Sequence, residues 1–170
     1  YLYATNGLDL LEARQTRGAN NELLSRATYN SQHQPLTTTD AAGQTTTNTY
    51  NARGQLLTTT NPKGETMVLT YNANGYLTTV DGPLAGTNDL FTFTYDAFGR
   101  AQTQTDDSGY TLTFDYDAMD RITTITHPDA TFRKFTYARL DLVADRDRAG
   151  RQTLFEYDSI RQLTKQTDPL

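Results

Sequence analysis

The sequence contains no cysteine and no tryptophan, and it has only five prolines and two histidines. Without cysteine the chain has no disulfide, no thiolate metal ligand and no cysteine nucleophile. It also lacks a run of about 18 apolar residues, so we expect no membrane span. No basic segment followed by an apolar run marks a signal peptide after Tyr1, and such a start is compatible with a piece cut from a longer protein.

The charge is modest and of mixed sign, with 15 Lys and Arg against 20 Asp and Glu and a formal net charge of −5. No basic stripe is present for phosphates, so nucleic acid is not an expected partner. The run from Asp141 to Arg148 is interpreted as a solvated edge with alternating ion pairs, and a peptide- or sugar-contacting patch is the alternative.

The chain is rich in threonine, tyrosine and phenylalanine, a composition that favours strands over helices. A length of 170 residues suits one domain over residues 1–170. Within it, a tyrosine followed by Asn, Asp or Ala recurs about every 21 residues. The recurring residues are Tyr3, Tyr29, Tyr50, Tyr71, Tyr95, Tyr116, Tyr137 and Tyr157. The chain is therefore predicted to contain about eight repeats.

The fourth residue after each tyrosine favours a residue that tolerates positive φ. The residues at this position include Gly54, Gly75 and Gly99, and also His33, Asp120, Asp141 and Arg161. An apolar residue follows two positions later, for example Leu56 or Val143, and a second turn signal such as Asn61-Pro-Lys-Gly64 comes about ten residues after the tyrosine. Two turns per repeat leave two strands of about six residues each.

Apolar and polar residues alternate in the strands before the tyrosines. The residues predicted to hold successive hairpins together are seven tyrosines, three turn glycines and four phenylalanines. They are Tyr29, Tyr50, Tyr71, Tyr95, Tyr116, Tyr137, Tyr157, Gly54, Gly75, Gly99, Phe91, Phe93, Phe114 and Phe155. The opposite face is mostly threonine. We expect each tyrosine at the buried end of a strand, with its hydroxyl bonded to the backbone.

The predicted fold class is all-β, with tandem hairpins in a long antiparallel, curved or spiralling sheet. Residues 1–28 are expected to form a divergent first repeat or a cap, and we favour a hairpin over a short helix. The insert from Asp81 to Asp89 is expected to be a surface extension, with a ligand loop as the alternative. Exposed edges of the sheet could pair with neighbouring repeats or with another copy.

Three segments carry a family resemblance: Tyr95-Asp-Ala-Phe-Gly-Arg100, Tyr116-Asp-Ala-Met-Asp-Arg121 and Tyr50-Asn-Ala-Arg-Gly-Gln55. They resemble the YD repeats of the Rhs family over nearly the whole chain. In that family the repeats form hairpins that coil into a hollow shell. Bacterial Rhs proteins and the C subunits of Tc toxins enclose a toxic domain in it, and teneurins use a similar barrel at the cell surface. The resemblance implies a secreted or cell-surface bacterial protein.

No catalytic or cofactor-binding motif stands out, so the chain is predicted not to be an enzyme and to bind no cofactor. His33 and His127 are expected in solvated turns rather than as a base or metal ligand. Calcium at the turn acids Asp40, Asp106, Asp107, Asp147 and Asp168 is the minor alternative, since one carboxylate per turn does not supply six oxygens at one point. No metal site is therefore predicted.

Two functions remain open. The favoured one is a structural scaffold, an arc of a repeat shell that encloses or shields a toxin or effector polypeptide. The alternative is a module that binds carbohydrate or protein at a cell surface. A row of three or more exposed rings on one face would favour sugar binding, whereas rings packed from repeat to repeat would favour the shell.

Overall fold

A computed structural model describes residues 1–86 and 88–169. The chain forms two compact units, Tyr1–Asp89 and Leu90–Leu170, which we call the first and the second unit. All regular elements among the described residues are β-strands. None of these residues belongs to a helix long and apolar enough to cross a membrane. The all-β prediction is confirmed, while the single domain over 1–170 stays a prediction.

Both units are chains of hairpins in which each strand pairs antiparallel with the next. The first unit contains β1 (Leu2–Tyr3), β2 (Leu10–Arg17), β3 (Asn20–Tyr29), β4 (Pro35–Asp40), β5 (Thr45–Tyr50), β6 (Leu56–Thr60), β7 (Thr66–Tyr71) and β8 (Leu77–Asp81). The second unit contains β9 (Leu90–Tyr95), β10 (Ala101–Thr105), β11 (Thr111–Tyr116), β12 (Ile122–Thr126), β13 (Phe132–Ala138), β14 (Asp141–Arg146), β15 (Gln152–Tyr157) and β16 (Leu163–Thr167). The predicted tandem hairpins are confirmed.

Most hairpin turns have one geometry, illustrated by the turn after Tyr50. The Gly54 amide donates to the Asn51 carbonyl, and the Asn51 amide donates to the Gln55 carbonyl, both at 2.9 Å. Gly54 has φ +79°, as a β-turn closed by a left-handed residue requires. The same two bonds recur in the turns that begin at Asn30, Asp40, Asn61, Asn72, Asp96, Asp106, Asp117, His127, Asp147 and Asp158.

The hairpin of β2 and β3 has a shorter turn than most. Strands β2 and β3 run to Arg17 and Asn20, which pair across a two-residue turn at Gly18. Gly18 has φ +61°. Residues 1–28 thus contain strands and no helix, and their place as a divergent first repeat stays a prediction.

The repeat that begins at Tyr137 corrects the predicted turn position. We expected the left-handed residue at Asp141 and the apolar position at Val143. Instead Arg139 has φ +56°, Asp141 already pairs with Ala138, and Leu142 is the partner of Tyr137. The reason is a shorter turn: two residues, 139 and 140, connect β13 to β14. Such a tight hairpin needs its positive φ at the first central residue.

A β-bulge lies beside the tyrosine in most repeats. In the pair of β5 with β6, Tyr50 faces Leu56 while Thr49 faces Thr58, so Leu57 is an extra residue. The register shifts at the same place beside Tyr29, Tyr71, Tyr116, Tyr137 and Tyr157. Bulges increase the local twist of a strand pair, so each repeat twists most where its tyrosine stands.

Neither unit has a deep hydrophobic core among its described residues. Within each unit the strands contact only their neighbours along the chain, so no second layer covers the sheet. Ala13 and Ala144 are the only buried apolar residues among those described, and no large side chain there is fully buried. We expect buried tyrosines from the sequence, but the seven repeat tyrosines are only half-buried. Full burial needs a second packed layer.

Candidate functional site

The tyrosines at the strand ends form a ladder of hydrogen bonds between hairpins. Tyr116 lies at the end of β11, and its hydroxyl donates to the carbonyl of Ala101, the first residue of β10, at 2.7 Å. Equivalent bonds of 2.9 to 3.2 Å join Tyr29 to Leu10, Tyr50 to Pro35, Tyr71 to Leu56, Tyr137 to Ile122 and Tyr157 to Leu142. Each bond ties the end of one strand to the start of the preceding one, so the backbone partner expected for these hydroxyls is present.

In six repeats the residue after the tyrosine is an Asn or Asp whose side chain closes its own turn. The side-chain oxygen of Asn51 accepts hydrogen bonds from the backbone amides of Arg53 and Gln55, at 2.9 and 3.0 Å. Asp117 does the same with the amides of Met119 and Arg121. Asn and Asp are suited to this role because their short side chains bond backbone two residues on. The Asn or Asp of these repeats is therefore a structural acceptor.

In four repeats a second side chain, five residues after the tyrosine, completes the turn in one of two ways. In the first unit Asn51 donates to the Gln55 amide oxygen at 2.9 Å, and Asn30 pairs with Gln34 at 3.0 Å. In the second unit the pairs are charged: Arg100 donates to Asp96 at 2.7 Å and Arg121 to Asp117 at 2.8 Å. In these four repeats an amide pairs with an amide, or a guanidinium pairs with a carboxylate.

The same side chains reach the next repeat. Gln55 donates to the Gly75 carbonyl at 2.7 Å, and Arg121 donates to the Arg139 carbonyl at 2.7 Å. Arg100 bonds the carboxylate of Asp120 at 2.8 Å. One long side chain thus closes its own turn and holds the following one. Sequence reasoning missed this role, although the matched Asn-Gln and Asp-Arg spacing of four residues was visible.

In the second unit the arginines also stack on the tyrosine ladder. The Arg100 guanidinium carbon lies 4.6 Å from the ring centre of Tyr116, and that of Arg121 lies 4.0 Å from Tyr137. Such contacts contribute about 0.5–1 kcal/mol at exposed sites. Burial raises the pKa of the Tyr95 and Tyr116 phenols, which keeps these hydroxyls neutral donors.

The ion pairs of the second unit make its turns sensitive to acid. The side-chain hydrogen bond from Arg121 lowers the pKa of Asp117 below its ordinary value of 3.8. The Ser108 hydroxyl lowers the pKa of Asp106 and the Thr131 hydroxyl lowers that of Asp129. A carboxyl with a depressed pKa stabilises the folded state above the pKa of the unfolded chain. This contribution is lost as the pH falls through the folded pKa.

Threonine hydroxyls pair across strands on the other face. Thr49 and Thr58, which face each other on β5 and β6, have hydroxyl oxygens 2.7 Å apart. Similar pairs join Thr28 to Thr37, Thr39 to Thr45, Thr60 to Thr66, Thr70 to Thr79, Thr94 to Thr103 and Thr105 to Thr111. Cross-strand pairs are the usual unit of sheet stabilisation, so this face also serves pairing between strands.

The glycines and phenylalanines occupy two kinds of place. Gly54, Gly75 and Gly99 all have positive φ, between +79° and +89°. Phe93, Phe114 and Phe155 are half-buried on their strands, whereas Phe91 is 38% exposed. We had expected Phe91 on an inward face; the uncovered single layer leaves it accessible to solvent. The repeat role of these residues stays a prediction.

The two histidines lie in turns, as predicted, and each contacts polar side chains of another hairpin or loop. His33 Nδ1 lies 3.1 Å from both carboxylate oxygens of Asp9, a buried residue before β2. A hydrogen bond from Asn6 lowers the pKa of Asp9. His127 Nδ1 lies 2.7 Å from the Tyr110 hydroxyl. No nucleophile completes either pair among the described residues.

The acidic turn residues mostly bond their own turns or neighbouring arginines. The Asp40 carboxylate accepts the amides of Ala42 and Gln44, and Asp147 accepts the amide and guanidinium of Arg151. In the part of the chain that the structure describes, no three His, Asp or Glu side chains gather in a way that could hold a metal ion.

A groove of about 520 Å³ in the second unit contains the mixed charges near β14. Arg133 forms an ion pair with Asp145, and Arg148 pairs with Asp129 at 2.8 Å. Asp141, at the start of β14, pairs with Arg161. The run is not a solvated edge, because β14 pairs with both β13 and β15 and is mostly half-buried. Its ion pairs join it to residues outside the run. Each arginine that lines the groove, Arg133, Arg148 or Arg151, thus has a carboxylate partner.

Solvent-exposed rings do not form a row on one face. Tyr1 and Tyr3 lie beside and within β1, respectively, and Phe91 is on β9. Tyr76 and Phe98 are in turns after repeat tyrosines, and Tyr110 is at an opposite turn. The geometry predicted for stacking on sugar rings is therefore not found among residues 1–86 and 88–169.

Comparison with known proteins identifies the repeat. The model of the family described as RHS Repeat matches residues 29–66, 50–87 and 95–131, which is more than half of the chain. No curated protein matches the sequence.

Several solved structures share the fold. A crystal structure of TcdB2-TccC3 has a TM-score of 0.70 at 17% identity, and covers 93% of this chain and 11% of the other. A crystal structure of TcdB2-TccC3-Cdc42 has a TM-score of 0.66 at 18% identity, with 98% and 12% covered. The Tc holotoxin pore of Photorhabdus luminescens with a TccC3 mutation has a TM-score of 0.65 at 18% identity, with 84% and 9% covered. This chain thus spans about a tenth of the length of the structures that it resembles, and the likeness concerns the fold. Taken with the tyrosine ladder and the repeated turns, the family match shows that the chain belongs to the RHS repeat family.

Proposed function

We propose that this chain is a non-catalytic segment of a repeat scaffold whose hairpins form part of a wall that encloses or shields another polypeptide. The observation that carries the proposal is the tyrosine ladder. At six repeats the hydroxyl is bonded to the neighbouring strand, so the most regular side chain of the sequence holds hairpins together.

The similar structures support the enclosing role. Each contains TccC3 with a much longer chain than this one, so these hairpins are compatible with one stretch of a large assembly. By this analogy the enclosed polypeptide is a toxin or effector domain, and the protein is secreted by a bacterium or displayed on its surface.

The terminal strands suggest how the segment joins others. All residues of β16 are exposed, and the unpaired side of a terminal strand offers backbone donors and acceptors to a further strand. Neighbouring repeats or another copy of the chain are the proposed partners at this edge. Carbohydrate is not favoured, because the exposed rings are scattered.

The enclosing role can be tested by limited proteolysis of the complete product of the natural gene. We expect a polypeptide outside the repeats to resist cleavage in the wild type. A variant with Tyr50→Ala, Tyr116→Ala and Tyr137→Ala should expose it, because three rungs of the ladder are lost. Tyr110→Ala is the control, since this exposed tyrosine is not part of the ladder. Equal cleavage of wild type and triple variant would refute the shielding role.

A further inference from the structure

The third residue after each tyrosine of the second unit is a large apolar side chain at the tip of a turn. Phe98 is 81% exposed, Met119 54%, Leu140 52% and Ile160 72%. We call these four residues the tip row. Turn tips ordinarily carry small or polar residues, so the turn itself does not require this row.

Two other sets of tips in the same chain show the contrast. The equivalent positions of the first unit are polar: Asn6, Gln32, Arg53 and Asn74. The tips at the opposite edge of the second unit are small or polar: Ser108, Asp129 and Ala149. Among these three sets, apolar tips occur only at one edge of the second unit. Two other exposed apolar side chains, Leu8 and Leu84, lie in separate loops of the first unit. Apolar patches of this kind on a surface mark contact with another molecule.

The residues next to the tip row leave space beside some of its side chains. Four of the eight residues beside the tips are small, namely Ala97, Gly99, Ala118 and Ser159, and the other four are charged. Arg100 lies 4.9 Å from the ring centre of Phe98, which supports this ring from one side. The four apolar side chains of the tip row are therefore separated by gaps, which leaves space for side chains of a partner to pack between them.

The area of the row argues for a narrow partner. Four such side chains expose on the order of 400 Å², whereas a stable interface between two folded proteins buries about 800 Å² on each side. A second copy docked through this row alone would be too weakly held. A single secondary-structure element could cover the whole row.

The spacing of the row distinguishes between a strand and a helix. Successive tips are two strands apart, or about 9.6 Å, so the row extends over about 29 Å. Side chains on one face of a strand repeat every ~6.8 Å and do not match this spacing. On an α-helix, every seventh residue returns to nearly the same face after ~10.5 Å, and three such steps extend over ~31 Å.

We propose that the tip row, Phe98, Met119, Leu140 and Ile160, is a docking surface for an amphipathic α-helix of another polypeptide, about 22 residues long, with apolar side chains seven residues apart. Each tip then packs beside one apolar residue of the helix. The polar tips of the first unit do not take part.

The probe is a fluorescein-labelled helical peptide of Ala, Glu and Lys, about 24 residues long to extend over ~31 Å, with leucine at every seventh position. A matched peptide of the same composition has its leucines five residues apart, which places successive leucines on different faces. Fluorescence anisotropy with the wild-type chain should show saturable binding of the first peptide and about tenfold weaker binding of the second.

The variant Phe98→Gln, Met119→Gln, Leu140→Gln and Ile160→Gln should lose binding by about tenfold. Glutamine occupies the same turn position at Gln32, so we expect the far-UV circular dichroism spectrum to be unchanged. Ser108→Gln with Ala149→Gln, at the opposite edge, is the control and should bind like the wild type.

Three results would overturn the proposal. Equal binding of the two peptides to the wild type, which needs no variant, would indicate nonspecific apolar contact. Unchanged binding by the glutamine variant would place the contact elsewhere. Self-association that depends on the tip row, in the absence of peptide binding, would assign the row to a second copy.

Discussion

Tyr116 offers the most direct test of the tyrosine ladder, because three separable interactions meet there. Its ring is half-buried beside β10, its hydroxyl donates to the Ala101 carbonyl at 2.7 Å, and Arg100 lies 4.6 Å from the ring centre. Tyr116→Phe removes the hydroxyl and keeps the ring. Tyr116→Ala removes all three.

The expected magnitudes follow from these contacts. Loss of the hydroxyl should lower the free energy of unfolding by about 1 kcal/mol, the net contribution of an ordinary hydrogen bond. Deletion of a fully buried aromatic ring costs about 3–5 kcal/mol, and half of the lower limit is appropriate for a half-buried ring. With the cation-π contact of about 0.5–1 kcal/mol, Tyr116→Ala should lose about 3 kcal/mol in total.

The measurement is urea unfolding followed by tyrosine fluorescence and far-UV circular dichroism, since the chain has no tryptophan. Tyr157 supplies a matched comparison because it has the same hydroxyl bond, to the Leu142 carbonyl. A double-mutant cycle of Tyr116→Ala with Arg100→Gln isolates the stacking energy; glutamine occupies the equivalent position at Gln34 and Gln55. Tyr1→Phe controls for loss of an exposed hydroxyl, since Tyr1 is 87% exposed and lies outside the ladder.

The reasoning would be refuted if Tyr116→Phe unfolded like the wild type and Tyr116→Ala cost less than about 1 kcal/mol. The ladder would then be a consequence of strand pairing with no stabilising effect of its own. A zero coupling energy with Arg100 would refute only the stacking contribution.

Three further predictions concern the turns. Asp117→Asn with Arg121→Gln copies the amide pair of the first unit, so the double variant should be more stable to urea than Asp117→Asn alone. Its free energy of unfolding should also fall less than that of the wild type when the pH is lowered below about 4. Urea unfolding at a series of pH values from neutral to acid measures both effects. Ala130→Gly should raise the free energy of unfolding by about 0.5–1 kcal/mol, because Ala130 has φ +61° and glycine tolerates this conformation; a lower urea midpoint would contradict it. Gly54→Ala should destabilise more than Gly64→Ala in the same assay, since both have positive φ but only a Cβ at Gly54 would meet Gln34, at 3.1 Å.

The sequence was sufficient to predict the strands and most turns. A tyrosine every 21 residues, with a Gly or Asp four positions later, identified both the hairpin period and the left-handed residues such as Gly54 and Asp120. These features are local, since a turn depends on a few consecutive residues. The same rule failed at Tyr137, where a two-residue turn moved the positive φ to Arg139. A deletion of one or two residues in a turn leaves the period almost unchanged, so the period alone could not reveal it.

Burial could not be predicted from alternation. The alternation of Phe91, Phe93 and Tyr95 with threonine correctly indicated two faces, but it does not say whether another layer covers either face. The role of Arg100 and Gln55 was missed for a related reason. Each reaches a turn about 20 residues further along the chain, and this contact appears only when neighbouring hairpins stand side by side.

The thin interior explains why polar contacts recur with such regularity. A unit whose strands contact only their chain neighbours has no deep core to hold its repeats in register, and its stability must come from contacts between adjacent hairpins. A tyrosine suits this role because its ring covers the neighbouring strand while its hydroxyl reaches a carbonyl at the sheet edge. Two kinds of side-chain pair close the turns with the same backbone geometry: the amide pair at Asn51 and Gln55, and the ion pair at Asp117 and Arg121. Replacement of one pair by the other should therefore preserve the fold.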